Sequence, residues 1–266
     1  MSKQKICLTI AGLDPSGGAG IIADIKTFSA FGCFATAAIA SITFQNTTGV
    51  FGAVHQTAET LRGQVEPVIE DFEVAAVKTG MLPTREIIEE TARLIQVNSL
   101  TNVVVDPVVR STSGFDLIDD AALRSLIELL FPLSTIVTPN IQEAERITRT
   151  TIRSETDIEN AACMIQSMGA RNVLIKGGHF EIETLLNQKA RDYLFTVEGN
   201  SVSEADYIDT TATHGTGCTL AAAISANLAL GKDLKEAVRI SKDFVNEAIR
   251  TAPNLGHGHS PINIMR

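Results

Sequence analysis

The chain has 266 residues, 44% hydrophobic and 20% charged, with a formal net charge of −9. That length fits one large domain or two small ones with a core of ordinary size. An acidic chain without a basic block excludes nucleic acid and anionic membrane surfaces as natural partners. Any phosphate must then be held by local devices: backbone amides, a few lysines and a metal ion. The four cysteines, Cys7, Cys33, Cys163 and Cys218, form no C-x-x-C pair, so zinc and dithiol redox motifs are absent. Scattered thiols fit a reducing, cytoplasmic setting. MSKQKICLTIAG carries too short an apolar run for a signal peptide, and FGCFATAAIASITF is too short to span a membrane.

In chain order, apolar strand-like runs stand at 6–12 (ICLTIAG), 75–81 (AAVKTGM), 102–108 (NVVVDPV), 135–140 (TIVTPN) and 172–178 (NVLIKGG). Helical patterns fall between them at 18–32, 84–96, 119–130 and 155–169. Residues 190–209 read as a hairpin near a sheet edge. The end is helical at 217–230 and 234–252, with Gly231 as a stop between them. Continuous apolar strands alternating with amphipathic helices predict an α/β fold with a mostly parallel sheet covered on both faces. No repeat or linker divides the chain, which reads as one domain over 1–266.

Five strands deliver polar or glycine groups at their carboxyl ends: Asp14 with SGGAG, Lys78-Thr79-Gly80, Asp106-Pro107, Thr138-Pro139-Asn140 and Lys176-Gly177-Gly178. Open α/β sheets bind ligands in the crevice there. The chain has no P-loop and no protein-kinase signature, and GLDPSGGAG lacks the dinucleotide spacing. THGTGCT (213–219) opens the run Leu220–Ala229. A glycine-rich helix start offers unpaired N–H groups and a dipole to an anion, but the same turn can simply start a core helix.

Cys218 at that mouth has three readings: buried packing, a hydrolase nucleophile with His214, or a proton acceptor whose pKa the helix start lowers. Asn140-Ile141-Gln142-Glu143 opens another helix. Glu143 and Glu145 can hold Mg²⁺ directly or through water, or serve as a cap. With Asp106, Lys176 and the GTGC turn, these residues supply a divalent-ion region, a cation and an anion cradle, which phosphoryl transfer needs.

AGLDPSGGAGIIADIKTF (11–28), TFQNTTGV (43–50), VKTGML (77–82), DPVV…SG (106–114), TPNIQEAE (138–145), IKGGH (175–179) and THGTGCT resemble the hydroxymethylpyrimidine and phosphomethylpyrimidine kinases of thiamine biosynthesis. These belong to the ribokinase-like superfamily, and the likeness runs from Ile6 to the tail GHGHSPIN (256–263). The resemblance implies a three-layer αβα fold, commonly a homodimer. It implies ATP- and Mg²⁺-dependent phosphorylation of 4-amino-5-hydroxymethyl-2-methylpyrimidine and then of its monophosphate.

By the same resemblance, Cys218 is the base, where ribokinase relatives carry Asp in a G-A-G-D turn, and Gly215, Thr216 and Gly217 form the cradle. Lys176 is a phosphate-binding cation, with Asn140 beside it on the nucleotide. Glu143 and Asp106 hold the metal. Gly12, Asp24, Gln45, Met81 and Val108 line the pyrimidine pocket. The Gln45 amide offers a donor and an acceptor side by side, which matches an aminopyrimidine edge. The chain departs from the family pattern at Ile22, at Phe44 and in VVRSTSG (108–114). A pyridoxal or pyridoxine kinase on the same scaffold is the alternative activity.

Overall fold

A computed structural model describes residues 4–110, 116–177 and 189–265. Nine strands form one sheet in the order β3-β2-β1-β4-β5-β6-β7-β8-β9. They are β1 (Ile6–Leu13), β2 (Phe34–Asn46), β3 (Gly49–His55), β4 (Val74–Thr79), β5 (Val103–Val105), β6 (Ile136–Val137), β7 (Val173–Lys176), β8 (Lys189–Thr196) and β9 (Gly199–Asp206). From β2 to β7 the pairing is parallel, and β3, β8 and β9 add antiparallel margins. The central strands are buried along their length, as in Ile6–Gly12 and Val103–Val105. That is why their sequences are continuously apolar rather than alternating.

The helices are α1 (Gly20–Ala30), α2 (Ala58–Asp71), α3 (Arg85–Val97), α4 (Asp120–Ser125), α5 (Ile141–Thr148), α6 (Glu155–Ser167), α7 (Thr216–Ala229) and α8 (Leu234–Arg250). Most have side-chain caps on their first free N–H groups: Thr57 for α2, Thr84 for α3, Asp119 for α4, Ser154 for α6 and Asp233 for α8. After α4 the chain continues as a π-helical turn, Leu126–Leu130, and a 3₁₀ turn over Phe131–Leu133 that contains Pro132.

Helix α7 is buried on every side from Thr219 to Ala229. Its alanines let it lie close to the sheet, while Leu220, Ile224 and Leu228 pack with Val104, Ile136, Leu174 and the apolar face of α8. This core fixes the first turn of α7 at the carboxyl ends of the strands. No helix among the described residues is long and apolar enough to cross a membrane.

The strands expected at 6–12, 75–81, 102–108, 135–140 and 172–178 all form, as does the edge hairpin at 190–209, now β8–β9. The β2–β3 hairpin and α2 carry no such signal in the sequence. The hairpin turn lacks an Asn-Gly signal. It is closed instead by the Asn46 side chain, which accepts from the Thr48 N–H at 2.8 Å. In α2, Gly63 and Pro67 mask the helical pattern.

Candidate active site

Strands β5 and β7 and helix α5 bring one charged group together. Lys176 ends β7, and its N–H donates to the Pro139 carbonyl at 2.8 Å. Its Nζ donates to Asp106 Oδ1 at 2.9 Å and lies 3.8 Å from Glu143 Oε2. The Thr138 hydroxyl donates to the same Asp106 oxygen at 3.2 Å. Burial works against charge on Lys176, but the Asp106 and Glu143 carboxylates outweigh it and hold the amine above its ordinary range. Burial and the neighbouring Asp106 push Glu143 up to about 7, against the pull of Lys176.

Asn140 and Glu143 form a reciprocal capping box at the start of α5. Asn140 Oδ1 accepts from the Glu143 N–H at 2.8 Å, and Glu143 Oε2 accepts from the Asn140 N–H at 2.7 Å. The cap and the approach to Lys176 thus fall on the same residue. Glu145 is engaged elsewhere, accepting from the Ile152 N–H at 2.8 Å.

The start of α7 faces this cluster. A Cβ on Gly217 would lie 3.3 Å from Lys176 Nζ and 3.9 Å from Asp106 Oδ2. The N–H groups of Gly217 and Cys218 are in the first turn and have no intrahelical acceptor. Gly215 precedes the helix with φ of 88°, and a Cβ there would collide with the Gly18 carbonyl. Only glycine lets the loop after β1 approach this turn so closely. Among the described residues no group of three or more His, Cys, Asp or Glu is arranged to hold a metal alone. Asp106 and Glu143 fit Mg²⁺, which takes one or two carboxylates and completes its shell with phosphate and water.

His214 is committed to Asp14, with Nε2 2.7 Å from Oδ2. The same carboxylate accepts from the Ser16 and Ala19 N–H groups at 2.8 and 2.9 Å. Burial opposes the Asp14 charge, but the His214 and Ser16 hydrogen bonds hold its carboxyl below the ordinary range. With its Nε2 occupied this way, His214 is an orienting group for the two loops, which removes the motive for a Cys–His hydrolase. Asp14 was visible in the sequence only as a strand-end residue.

Cys218 is half-buried. Desolvation pushes its thiol up to about 11, with Asp24 and Asp106 adding to the rise and Lys78 opposing it. The helix start does not make it a resting thiolate, contrary to the expectation from sequence. Beneath the site Lys78 and Asp24 form a fully buried ion pair of 2.9 Å. The Thr9 hydroxyl donates to the same Asp24 oxygen at 2.6 Å, while Asp24 Oδ1 has no hydrogen-bond partner. Burial opposes charge on Lys78, but Asp24, with Cys218 and Asp106 adding to it, holds the amine above its ordinary range, while burial pushes the Asp24 carboxyl up against the pull of Lys78.

The remaining positions expected around the ring lie on β1, on β2 and after β4 and β5. A Cβ on Gly12 would sit 3.1 Å from Met81 Sδ. The Thr43 hydroxyl lies between the Leu13 carbonyl at 2.9 Å and Gln45 Oε1 at 3.1 Å, which orients the Gln45 amide. Val108 is half-buried, and its N–H donates to the Asp106 carbonyl at 2.8 Å. Phe44 is 52% exposed with its ring over Gly52. Residues 178–179 of IKGGH and 111–114 of VVRSTSG lie outside the described residues.

A mostly parallel sheet with a glycine-rich helix start opposite a lysine and two carboxylates is the arrangement of a kinase of the ribokinase-like fold. The chain belongs to the phosphomethylpyrimidine kinase family, whose model matches residues 14–263. It is 44% identical to the hydroxymethylpyrimidine/phosphomethylpyrimidine kinase of Bacillus subtilis (strain 168), over 96% of this chain and 93% of that protein. The crystal structure of phosphomethylpyrimidine kinase from Clostridium difficile 630 superimposes with a TM-score of 0.81 at 41% identity, covering 92% of this chain and all of the other. An ADP complex of Bacillus subtilis pyridoxal kinase superimposes with a TM-score of 0.89 at 36% identity, covering 98% and 97% of the two chains.

Proposed function

We propose that this protein transfers the γ-phosphoryl group of ATP to the hydroxymethyl oxygen of 4-amino-5-hydroxymethyl-2-methylpyrimidine, and a second one to the resulting monophosphate. The approach of Gly217 to Lys176 and Asp106, with Cys218 one residue further on, carries the reading. It joins an anion cradle, a fixed cation and a proton acceptor at one helix start.

In the first transfer the hydroxyl oxygen forms a bond to the γ-phosphorus as the bond to the departing ADP oxygen breaks. The hydroxyl proton passes to the sulfur of Cys218 in its thiolate form. Lys176 and the N–H groups of Gly215, Gly217 and Cys218 stabilise charge on the transferring group. Asn140 sets Glu143 and contributes to the nucleotide side. When bound, Mg²⁺ neutralises phosphate charge, and Asp106 and Glu143 would hold it. On the ring side Gln45 pairs with the aminopyrimidine edge and Gly12, Met81 and Val108 pack on its faces, while Asp24, fully buried with Lys78, supports the pocket from beneath.

The chain acts as a single kinase domain in a reducing cytoplasm. A homodimer fits the exposed apolar side chains Ile42, Phe44, Phe51 and Val54 of the β2–β3 hairpin, with sedimentation velocity as the check.

The close likeness to a pyridoxal kinase favours a second reading, vitamin B6 phosphorylation. Gln45→Leu separates the two. Losing a buried hydrogen-bonded contact costs about 1–3 kcal/mol, so kcat/KM for the pyrimidine should fall roughly ten- to a hundredfold. Pyridoxine phosphorylation should fall much less. Equal losses for both rings with a lowered melting temperature would reject the role of Gln45.

A further inference from the structure

The tail motif GHGHSPIN follows α8 and has no part in the chemistry above. Its backbone grips two turns that are far apart in sequence. At the tip of the β2–β3 hairpin, the N–H groups of His257 and Gly258 donate to Thr47 Oγ1 at 3.3 and 3.4 Å. The His259 N–H donates to the Thr47 carbonyl at 2.8 Å. At the anion turn, the His214 N–H donates to the Ser260 carbonyl at 3.2 Å and the Ile262 N–H donates to the His214 carbonyl at 3.4 Å. His259 Nδ1 also lies 3.4 Å from the Thr213 hydroxyl.

The two glycines of GHGH follow from this grip. Gly256 has φ of 80°, and a Cβ there would strike the Thr47 side chain. A Cβ on Gly258 would strike the Thr47 carbonyl, which is backbone and cannot swing aside. The alternation is therefore the imprint of one threonine.

The grip matters because of what Thr47 carries. Strand β1 ends its pairing at Leu13 opposite Ile42, so beyond that point β2 pairs only with β3. Strand β3 is itself at the margin of the sheet. A two-stranded ribbon is marginal on its own. Gln45 sits on that overhang, two residues before Thr47. His214 lies four residues before Cys218. The tail is bonded to the tip of the hairpin and to the start of the anion turn.

We infer that residues 256–262 are a strap that holds Gln45 at a fixed distance from Cys218, and that Thr47 is a positioning residue for recognition of the ring. The inference rests on the reading of Gln45 as a ring contact. An unstrapped hairpin populates the binding-competent arrangement less, and apparent affinity falls by that fraction. The loss appears in the pyrimidine KM. The nucleotide is bound by Lys176 and the α7 turn, which does not need Thr47.

The test uses the full-length enzyme and four variants: Thr47→Val, Thr47→Ser, Gly258→Ala and the Thr47→Val/Gly258→Ala double. Initial rates give KM for the hydroxymethylpyrimidine and for ATP, alongside melting temperatures. Thr47→Val keeps the shape but removes the acceptor for two N–H groups, so it should raise the pyrimidine KM about three- to tenfold, the scale of net hydrogen-bond contributions. KM for ATP and the melting temperature should hold. Thr47→Ser should restore the wild-type KM. The double variant should be little worse than the stronger single one, because both loosen the same grip of the tail on Thr47.

An unchanged pyrimidine KM in Thr47→Val overturns the strap, whether or not Gly258→Ala folds. So do equal rises in both KM values with a lower melting temperature, which would mark Thr47 as merely structural. Wild-type enzyme that fails to phosphorylate the pyrimidine overturns the proposed substrate, and the strap falls with it. An active wild type whose Gln45→Leu variant keeps a normal pyrimidine KM removes Gln45 as the ring contact, and this inference with it, while leaving the kinase reading intact.

Discussion

Cys218 shows how two local effects of opposite sign are decided by surroundings. A helix start and a lysine favour the thiolate, but desolvation and two carboxylates win, and the thiol is pushed up to about 11. In the free enzyme the thiolate is therefore a minor form at neutral pH. Its population rises tenfold per pH unit below that value, so kcat/KM for the first phosphorylation should climb with pH between 7 and 9. The two transfers should also differ in their need for a base. A hydroxymethyl oxygen carries a proton that must leave, whereas a phosphate monoester is already anionic at pH 7. Cys218→Ala should lower kcat for the hydroxymethyl compound by about 10², and kcat for the monophosphate much less. Equal losses at both steps would assign the sulfur to packing or orientation rather than to proton transfer. The sequence shows the thiol at the helix mouth. It does not show the depth of burial or the Lys78–Asp24 pair, because both depend on strands and helices that meet only in the fold.

At the scale of elements, α5 makes one residue serve two ends. Glu143 closes the capping box on Asn140 and stands 3.8 Å from Lys176. Glu143→Gln separates these roles, since glutamine also completes a capping box but carries no charge. The melting temperature should therefore change little, while the Mg²⁺ concentration for half-maximal activity rises and excess Mg²⁺ partly restores the rate. An unchanged Mg²⁺ dependence would leave Glu143 as a cap alone. The central strands were legible because burial on both faces leaves a continuous apolar run. Strand β2 was not, since FATAAIASITFQN reads equally as a buried helix segment and its turn is closed by a side chain rather than by glycine. Among the site residues, Lys176, Asp106 and Asn140 could be found from their places after apolar strands. His214 could not be assigned, because its partner Asp14 is 200 residues away.

For the whole molecule, sheet order decides what the site contains. Strands β1, β4, β5, β6 and β7 are neighbours, so their carboxyl ends line up the loop after Leu13, Met81, Asp106, Asn140 and Lys176 along one edge. Helix α7 is buried against these strands and sets its first turn at that edge. The overhanging hairpin with Gln45 closes one end, tied through the tail to the same first turn. In the proposed reading, an acidic chain would bind phosphate with the half-buried Lys176 and a helix start rather than with a basic patch. The most direct measurement of this account is product formation by the purified enzyme with ATP, Mg²⁺ and the hydroxymethylpyrimidine, followed by ³¹P NMR. The account predicts a monoester resonance that appears first and then gives way to diphosphate resonances as ADP accumulates. ATP left intact with the pyrimidine, or consumed with pyridoxine alone, would contradict it.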